Sequence, residues 1–231
     1  MPGTELSILM PAFNEEATIE RAIRRVLDAD LGTESYELVV VDDGSTDRTR
    51  ELLDGGDWPD QVRITHAAAN RGKGQAIRTA LAEAHGTYAV ILDADLEYDP
   101  NDLRDVLAPV RDGIADAAFG TRAFRAHSAY SFWYVMGNRF LSLATNVIYN
   151  AWITDVYTCF KLMPTELMRS LSLREDGFTI EAEVTGRLLR AGARIHEVPI
   201  TYVARRREEG KKIRPSDGFR GLLTLLRIRF S

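Results

Sequence analysis

Tyr88-Ala89-Val90-Ile91-Leu92 runs directly into Asp93-Ala94-Asp95, with Leu96-Glu97-Tyr98-Asp99-Pro100 following. The first five residues read as a buried strand. A buried strand that releases two carboxylates at its C-terminal end, with a third two residues on, is poorly explained by packing, because unpaired buried charge is costly. Oxygen-only clusters suit hard divalent cations, and Mg²⁺ is usually held by one or two carboxylates while substrate phosphates complete its shell. A lone Asp-x-Asp is also an ordinary strand-end turn, so the meaning of this one depends on its neighbours.

Working outward, the first half of the chain alternates strand-like and helix-like segments. Residues 6–10, 37–41, 62–66, 88–92 and 115–119 read as short buried strands; 16–29, 46–53, 74–85 and 102–111 read as helices. Asn14, Ser45 and the Pro100-Asn101-Asp102 run stand as helix-opening or capping residues. This order predicts an α/β fold with a mostly parallel, doubly wound sheet, in which ligands sit outside the carboxyl ends of the strands. Loops 11–15, 42–47, 70–74, 93–97 and 120–122 are thereby expected to gather in one place. After Arg122 the pattern changes. A long apolar helix over 132–153, an extended stretch to Met163, a helix over 179–191, a strand over 193–203 and an amphipathic helix over 217–230 follow. In the last helix Phe219, Leu222, Leu223, Leu226 and Phe230 share one face, opposite Arg220, Thr224 and Arg227. With no repeats and no low-complexity linker, the 231 residues are expected to form one domain, with residues 1–122 as one functional half and 123–231 as the other.

Composition narrows the function classes. An apolar share of 45% and a charged share of 27% describe a soluble globular chain. The single cysteine, Cys159, excludes an internal disulfide framework and fits a reducing compartment. Neither a basic-then-apolar leader nor a membrane-spanning apolar run stands out, so a cytoplasmic location is expected. The net charge of −5 is uneven. From Arg205 onward nine Lys and Arg face three Asp and Glu, so this end carries +6 and residues 1–204 carry −11. A basic end on an acidic body fits an anionic partner, either substrate phosphates or a lipid surface, or else a solvated tail. Without a broad basic face or a binding motif in the body, nucleic acid is not an expected partner.

The loops add acceptors and cations. Pro11-Ala12-Phe13-Asn14-Glu15 turns from strand to helix. Asp42-Asp43-Gly44-Ser45-Thr46-Asp47 offers acceptors suited to base N–H groups and ribose hydroxyls, as well as to turn and cap chemistry. Asn70-Arg71-Gly72-Lys73-Gly74-Gln75 resembles a phosphate loop in composition without Walker A spacing, and no Gly-x-Gly-x-x-Gly follows the first strand. A receiver domain would also place paired acids after an apolar strand, but is about half this length and leaves Asp93 and Asp95 unexplained.

Taken in order, these loops resemble glycosyltransferase family 2, the inverting nucleotide-sugar transferases of GT-A fold. Gly120-Thr121-Arg122, Thr154-Asp155 with Thr158-Cys159-Phe160-Lys161, Glu197-Val198-Pro199-Ile200 and Glu209-Gly210-Lys211-Lys212-Ile213 look like the polyprenyl-phosphate branch, which includes dolichyl-phosphate mannosyl- and glucosyltransferases. The resemblance implies a GT-A catalytic domain with a C-terminal acceptor-side helical extension. It implies that Pro11, Phe13, Asn14, Glu15, Asp42, Asp43, Lys73, Asp93 and Ala94 serve the nucleotide-sugar donor. Asp93, Asp95 and Glu97 would hold Mg²⁺ or Mn²⁺, with Asp95 the principal ligand. Arg122, Arg205 and Lys211 or Lys212 would grip the donor diphosphate and acceptor phosphate, and Asp155 and Lys161 would frame the acceptor side. Glu181 or Glu183 matches an acidic position that can supply a base.

The implied reaction moves a hexose from a donor of GDP-mannose or UDP-glucose type to polyprenyl phosphate, with inversion. An anionic acceptor oxygen barely needs a base. A soluble or saccharide hydroxyl acceptor would need one, and a non-catalytic nucleotide-sugar-binding or membrane-docking module is the remaining alternative. Glu183→Gln is thus expected to matter little for a phosphate acceptor, and Asp95→Asn to abolish either reaction. Relatives in this branch often carry transmembrane helices, so delivery of a lipid here is expected to rely on peripheral contact through the 132–153 and 217–230 helices at the inner membrane face, or on a membrane partner subunit.

Overall fold

The structure is a computed structural model that describes residues 3–122, 132–204 and 215–231. In chain order its elements are β1 (Leu6–Ala12), α1 (Ile19–Leu27), β2 (Tyr36–Asp42), α2 (Thr49–Gly55), β3 (Val62–His66), α3 (Lys73–Glu83) and β4 (Tyr88–Ile91). A 3-10 turn (Pro100–Asp102), α4 (Leu103–Arg111), β5 (Ala117–Thr121) and α5 (Phe132–Tyr149) follow. The chain continues through β6 (Lys161–Pro164), α6 (Thr165–Ser170), α7 (Ile180–Arg190), β7 (Ile195–Pro199) and α8 (Pro215–Phe230).

The strands form one seven-stranded sheet in the order β3-β2-β1-β4-β6-β5-β7. Ile8, Leu38, Val39, Val40, Val90 and Ile91 have no exposed surface, as expected of parallel strands covered on both faces. Strand order reverses between β1 and β4, which pair in parallel from Leu6 with Tyr88 to Leu9 with Ile91. The crevice beyond their carboxyl ends is therefore the switch point of the sheet, flanked by Pro11–Glu15 and Asp93–Glu97.

Several features differ from the sequence expectation. The stretch before Met163 is a true strand, β6, and it enters the sheet antiparallel to both β4 and β5. A Lys at its first position hides it from a hydrophobic pattern. The strand over 193–203 shortens to β7, and an unforeseen short helix, α6, follows Pro164. The long helix runs unbroken through Gly137-Asn138 and stops at Tyr149. Asn150 then takes φ +51°, and the Asn146 side chain holds the following turn by bonding both N–H and C=O of Ile153.

α8 packs on the domain through its smaller residues and leaves its large apolar ones outward. Its buried side is Gly221, Thr224, Leu225 and Ile228, whereas Phe219, Leu223 and Phe230 are exposed at 65%, 51% and 82%. Small residues decide this. A methyl at Gly221 would overlap the Tyr157 hydroxyl, and one at Gly186 on α7 would crowd the Tyr149 hydroxyl and Leu225. α8 packs against α5, where Trp133, Phe140 and Val147 are 79%, 61% and 76% exposed. No helix among the described residues is long and apolar enough to cross a membrane.

Candidate active site

The strand-end loops are laced to one another by backbone N–H groups. Asn14, at φ +51°, is not the cap of α1. Its N–H donates to Ser45 Oγ at 2.9 Å and its Oδ1 accepts the Thr46 N–H at 2.8 Å, tying the first loop to the second. Glu15 is buried, its N–H donating to Thr49 Oγ1 and its carboxylate accepting the Thr18 hydroxyl. Pro11 stays in the ladder opposite Val41, and Phe13 is half-buried beside it.

Asp42 and Asp43 build the next junction. Asp42 has no exposed surface; Oδ1 accepts the Ser45 N–H and Oδ2 lies 3.0 Å from His66 Nδ1. Asp43 accepts the N–H groups of Arg71 and Gly72 at 3.0 and 2.7 Å. Burial raises the Asp43 carboxyl above its ordinary value, although those two N–H groups oppose the shift. Both aspartates thus shape the loops at the carboxyl end of β2.

The glycines of the third loop serve close approach rather than phosphate cradling. Gly72 sits at φ +101°, and a methyl at Gly74 would overlap the Glu175 carbonyl oxygen. The N–H groups of Gly74 and Gln75, at the start of α3, both donate to Asp176 O. Lys73 turns inward, 2.7 Å from Asp93 Oδ2 and 2.8 Å from Glu181 Oε1.

Of the three expected metal carboxylates, Asp93 meets Lys73 and Glu97 accepts the Tyr202 hydroxyl at 2.6 Å. Leu96, at φ +65°, turns the chain between Asp95 and Glu97. Among the described residues no three His, Cys, Asp or Glu side chains converge as a metal cluster, so the three-carboxylate arrangement is not met. Asp95 is half-exposed, and its Oδ1 accepts the Glu97 N–H at 3.0 Å. One or two carboxylates at a cleft mouth fit a Mg²⁺ or Mn²⁺ ion whose remaining oxygens come from a ligand, and do not fit a closed protein cage. Ala94 is buried in the core between them.

Across the cleft, Arg122 and Asp155 form a bidentate pair, Nε to Oδ2 at 2.6 Å and Nη2 to Oδ1 at 2.7 Å. Burial works to raise the Asp155 carboxyl, but the Arg122 guanidinium outweighs it and holds the group below the usual carboxylate range. Asn138 of α5 donates to Asp155 Oδ1 at 2.8 Å, and the guanidinium lies over the Tyr202 ring, 4.9 Å from its centroid. Glu197 of β7 receives the Thr154 and Asp155 N–H groups. Tyr98 and Tyr202 form an isolated antiparallel bridge, and the Tyr98 hydroxyl accepts the Cys159 N–H. Tyr202, Asn138 and Glu197 therefore complete this side. Sequence reasoning singled out neither Tyr202 nor Asn138, since a lone Tyr or Asn carries no spacing signal.

Other expected site residues lie elsewhere. Lys161 has no exposed surface, and its ammonium donates to the Val156 and Thr158 carbonyls and to Glu181; these acceptors use all its protons within the protein. Glu183 is also fully buried. Its carboxylate accepts the N–H groups of Arg174 and Glu175 and Nε of Arg187, at 2.7 to 2.8 Å, so it does not face the cleft as a base. Arg205, Lys211 and Lys212 lie outside the described residues.

A sequence model described as "Glycosyl transferase family 2" matches residues 7–171. The chain belongs to glycosyl transferase family 2. Within that family it is 31% identical over 227 residues to the low-salt glycan biosynthesis hexosyltransferase Agl6 of Haloferax volcanii, covering 96% of this chain and 53% of the relative. It is 26% identical over 212 residues to the dolichol-phosphate mannosyltransferase of Pyrococcus furiosus, covering 90% and 59%. The chain thus spans little more than half the length of these two relatives. In fold it is similar to glucosyl-3-phosphoglycerate synthase of Mycobacterium tuberculosis, solved with Mn²⁺, UDP and phosphoglyceric acid, at a TM-score of 0.73 and 21% identity, covering 99% of this chain and 79% of that one. A family 2 chain whose mixed sheet superposes on such a neighbour has the GT-A fold.

Proposed function

We propose that the chain transfers a hexose from a nucleoside-diphosphate sugar to a polyprenyl phosphate, with inversion, while docked peripherally on a membrane. The observation that carries this reading is a connection across α5. Asn138 on α5 bonds Asp155, the partner of Arg122, while Trp133, Phe140 and Val147 on the same helix are exposed. One helix thus carries an exposed apolar surface and, through Asn138, contacts the carboxylate that holds the Arg122 guanidinium, a layout suited to an acceptor with a phosphate head and a hydrocarbon tail. The Pyrococcus relative is named for a dolichol-phosphate acceptor, in keeping with this choice.

The donor would lie at the switch point, its nucleoside against loops 11–15 and 42–47. Asp95, with Asp93 beside it, would hold a Mg²⁺ or Mn²⁺ ion, which when bound supplies positive charge to the departing nucleoside diphosphate. Arg122, held in orientation by both oxygens of Asp155, has guanidinium N–H groups beyond that pair to offer to phosphate oxygens. A phosphate acceptor arrives ionised, and the chemistry then needs no side-chain base. This agrees with where the acidic candidates sit: Glu181 and Glu183 are buried in ion pairs and Asp155 is engaged by Arg122. Arg205 and Lys211 or Lys212 remain assigned by resemblance to the acceptor phosphate.

The test is a thermal-shift panel of nucleotide sugars with and without Mn²⁺, since a ligand of the native state raises Tm, followed by transfer to polyprenyl phosphate. One donor class is expected to stabilise the chain only when metal is present, and Asp95→Asn to abolish both that shift and transfer. Transfer to a soluble hydroxyl but not to a lipid phosphate would sink the acceptor assignment. Binding without turnover on any acceptor would favour a non-catalytic module.

A further inference from the structure

Glu181, at the start of α7, is a buried carboxylate that no donor or acceptor contact explains. It is 2% exposed, and its two oxygens face two ammonium groups, Lys161 at Oε2 and Lys73 at 2.8 Å from Oε1. The second approach is off the hydrogen-bonding direction, so Oε1 has a cation beside it but no aligned donor among the described residues. Lys73 directs its hydrogen bond at Asp93 Oδ2 instead. Lys161 is not available to fill the gap, because the Val156 and Thr158 carbonyls hold its ammonium in place. Oε1 therefore has the Lys73 charge beside it, while the better-directed bond of that ammonium goes to Asp93.

The four side chains alternate in sign from Asp93 through Lys73 and Glu181 to Lys161, and their formal charges cancel. Burial works to raise the Glu181 carboxyl, yet the Lys161 and Lys73 ammonium groups together bring it below the ordinary range, so it stays ionised. The row joins the end of β4 and the start of α3 to α7 and β6, on the other half of the chain.

We propose that Glu181 is a positioning residue for the donor carboxylates: it holds Lys73 against Asp93, and its Oε1 is a second acceptor for that ammonium when a ligand takes Asp93. The proposal rests on the assignment of Asp93 and Asp95 to the donor and its cation. Removing the Glu181 charge leaves the Lys73 and Lys161 ammonium groups against the single carboxylate of Asp93, which shifts the field beside Asp95 toward positive. Removing Lys73 does the reverse.

Mn²⁺ binding to the metal-free chain, followed through the paramagnetic resonance signal of free Mn²⁺, reads this without turnover. Glu181→Gln is expected to weaken Mn²⁺ binding about fivefold or more, Lys73→Met to strengthen it, and the double variant to return toward the unsubstituted chain. A purely structural Glu181 would lower Tm and leave the affinity of the folded protein unchanged. That result, or a Lys73→Met chain that binds Mn²⁺ no more tightly, overturns the proposal; if Glu181→Gln does not fold, Lys73→Met decides alone. If the unsubstituted chain takes up no Mn²⁺, the metal assignment fails on its own. Thermal unfolding of Asp93→Asn, Lys73→Met and their double variant, with the same cycle for Lys73 and Glu181, then decides the positioning claim. Non-additive shifts are expected in both cycles because the groups share one ammonium, and additive shifts overturn it.

Discussion

Asp155 is 3% exposed, and both its oxygens are taken by Arg122, with Asn138 adding a third donor. Its native carboxyl titrates below the unfolded one. The stability it contributes is therefore complete above the unfolded carboxylate range, near pH 4, and fades as pH falls through the lower native value. Asp155→Asn leaves a buried guanidinium without its counter-charge and is expected to cost about 3 kcal/mol at pH 7. The Tm difference from the unsubstituted chain should narrow at pH 3; an equal gap at both pH values would refute the pairing. Glu183 shows a different use of a carboxylate. Because it collects two backbone N–H groups and Arg187, Glu183→Gln should destabilise by about 2–4 kcal/mol in denaturant unfolding, with activity per folded molecule unchanged. A large loss of turnover at full stability would restore it as a base. From sequence the two acids on α7 were indistinguishable, since Arg174, Lys73 and Lys161, which separate their environments, are not neighbours in any periodic pattern.

At the scale of elements, α8 is positioned by small residues rather than by its largest ones. Gly221 approaches Tyr157, whose hydroxyl donates to Asp217 O at 3.0 Å, and Thr224 and Leu225 are buried beside it. Gly221→Leu is expected to cost at least about 2 kcal/mol by overpacking. Leu223→Ser, on the exposed face, should stay within about 0.5 kcal/mol. The opposite ranking in thermal unfolding would mean that α8 is rotated about its axis. Hydropathy periodicity located this helix to within two residues at its start but did not decide which face packs, because it weighs side-chain size and not the room a close helix contact leaves. β6 escaped for a related reason. A strand opening on Lys161 looks polar until Glu181 and two carbonyls are seen to satisfy that lysine. β1, β2 and β4 were legible because strands covered on both faces must be apolar throughout.

At the scale of the molecule, α5 and α8 both present exposed apolar residues, and α8 lies in the basic end that follows the acidic body. Trp133 and Trp152 are 79% and 81% exposed, so peripheral docking should be visible in their emission. Anionic vesicles at low salt are expected to shift tryptophan fluorescence to the blue and to co-sediment the chain, with binding weakened toward 0.5 M salt as screening shortens to roughly 4–5 Å. An unshifted spectrum with fully anionic vesicles would remove the membrane from the proposed function. By itself the sequence determined the alternating fold, the switch-point loops and the family, because strand and helix periods and turn chemistry are set by residues a few positions apart. Only the tertiary structure decided which charged groups face the cleft and which face each other. Glu97 meets Tyr202 from 105 positions away and Arg122 meets Asp155 from 33, and the state of an ionised side chain depends on such partners and on burial, neither of which a local pattern records.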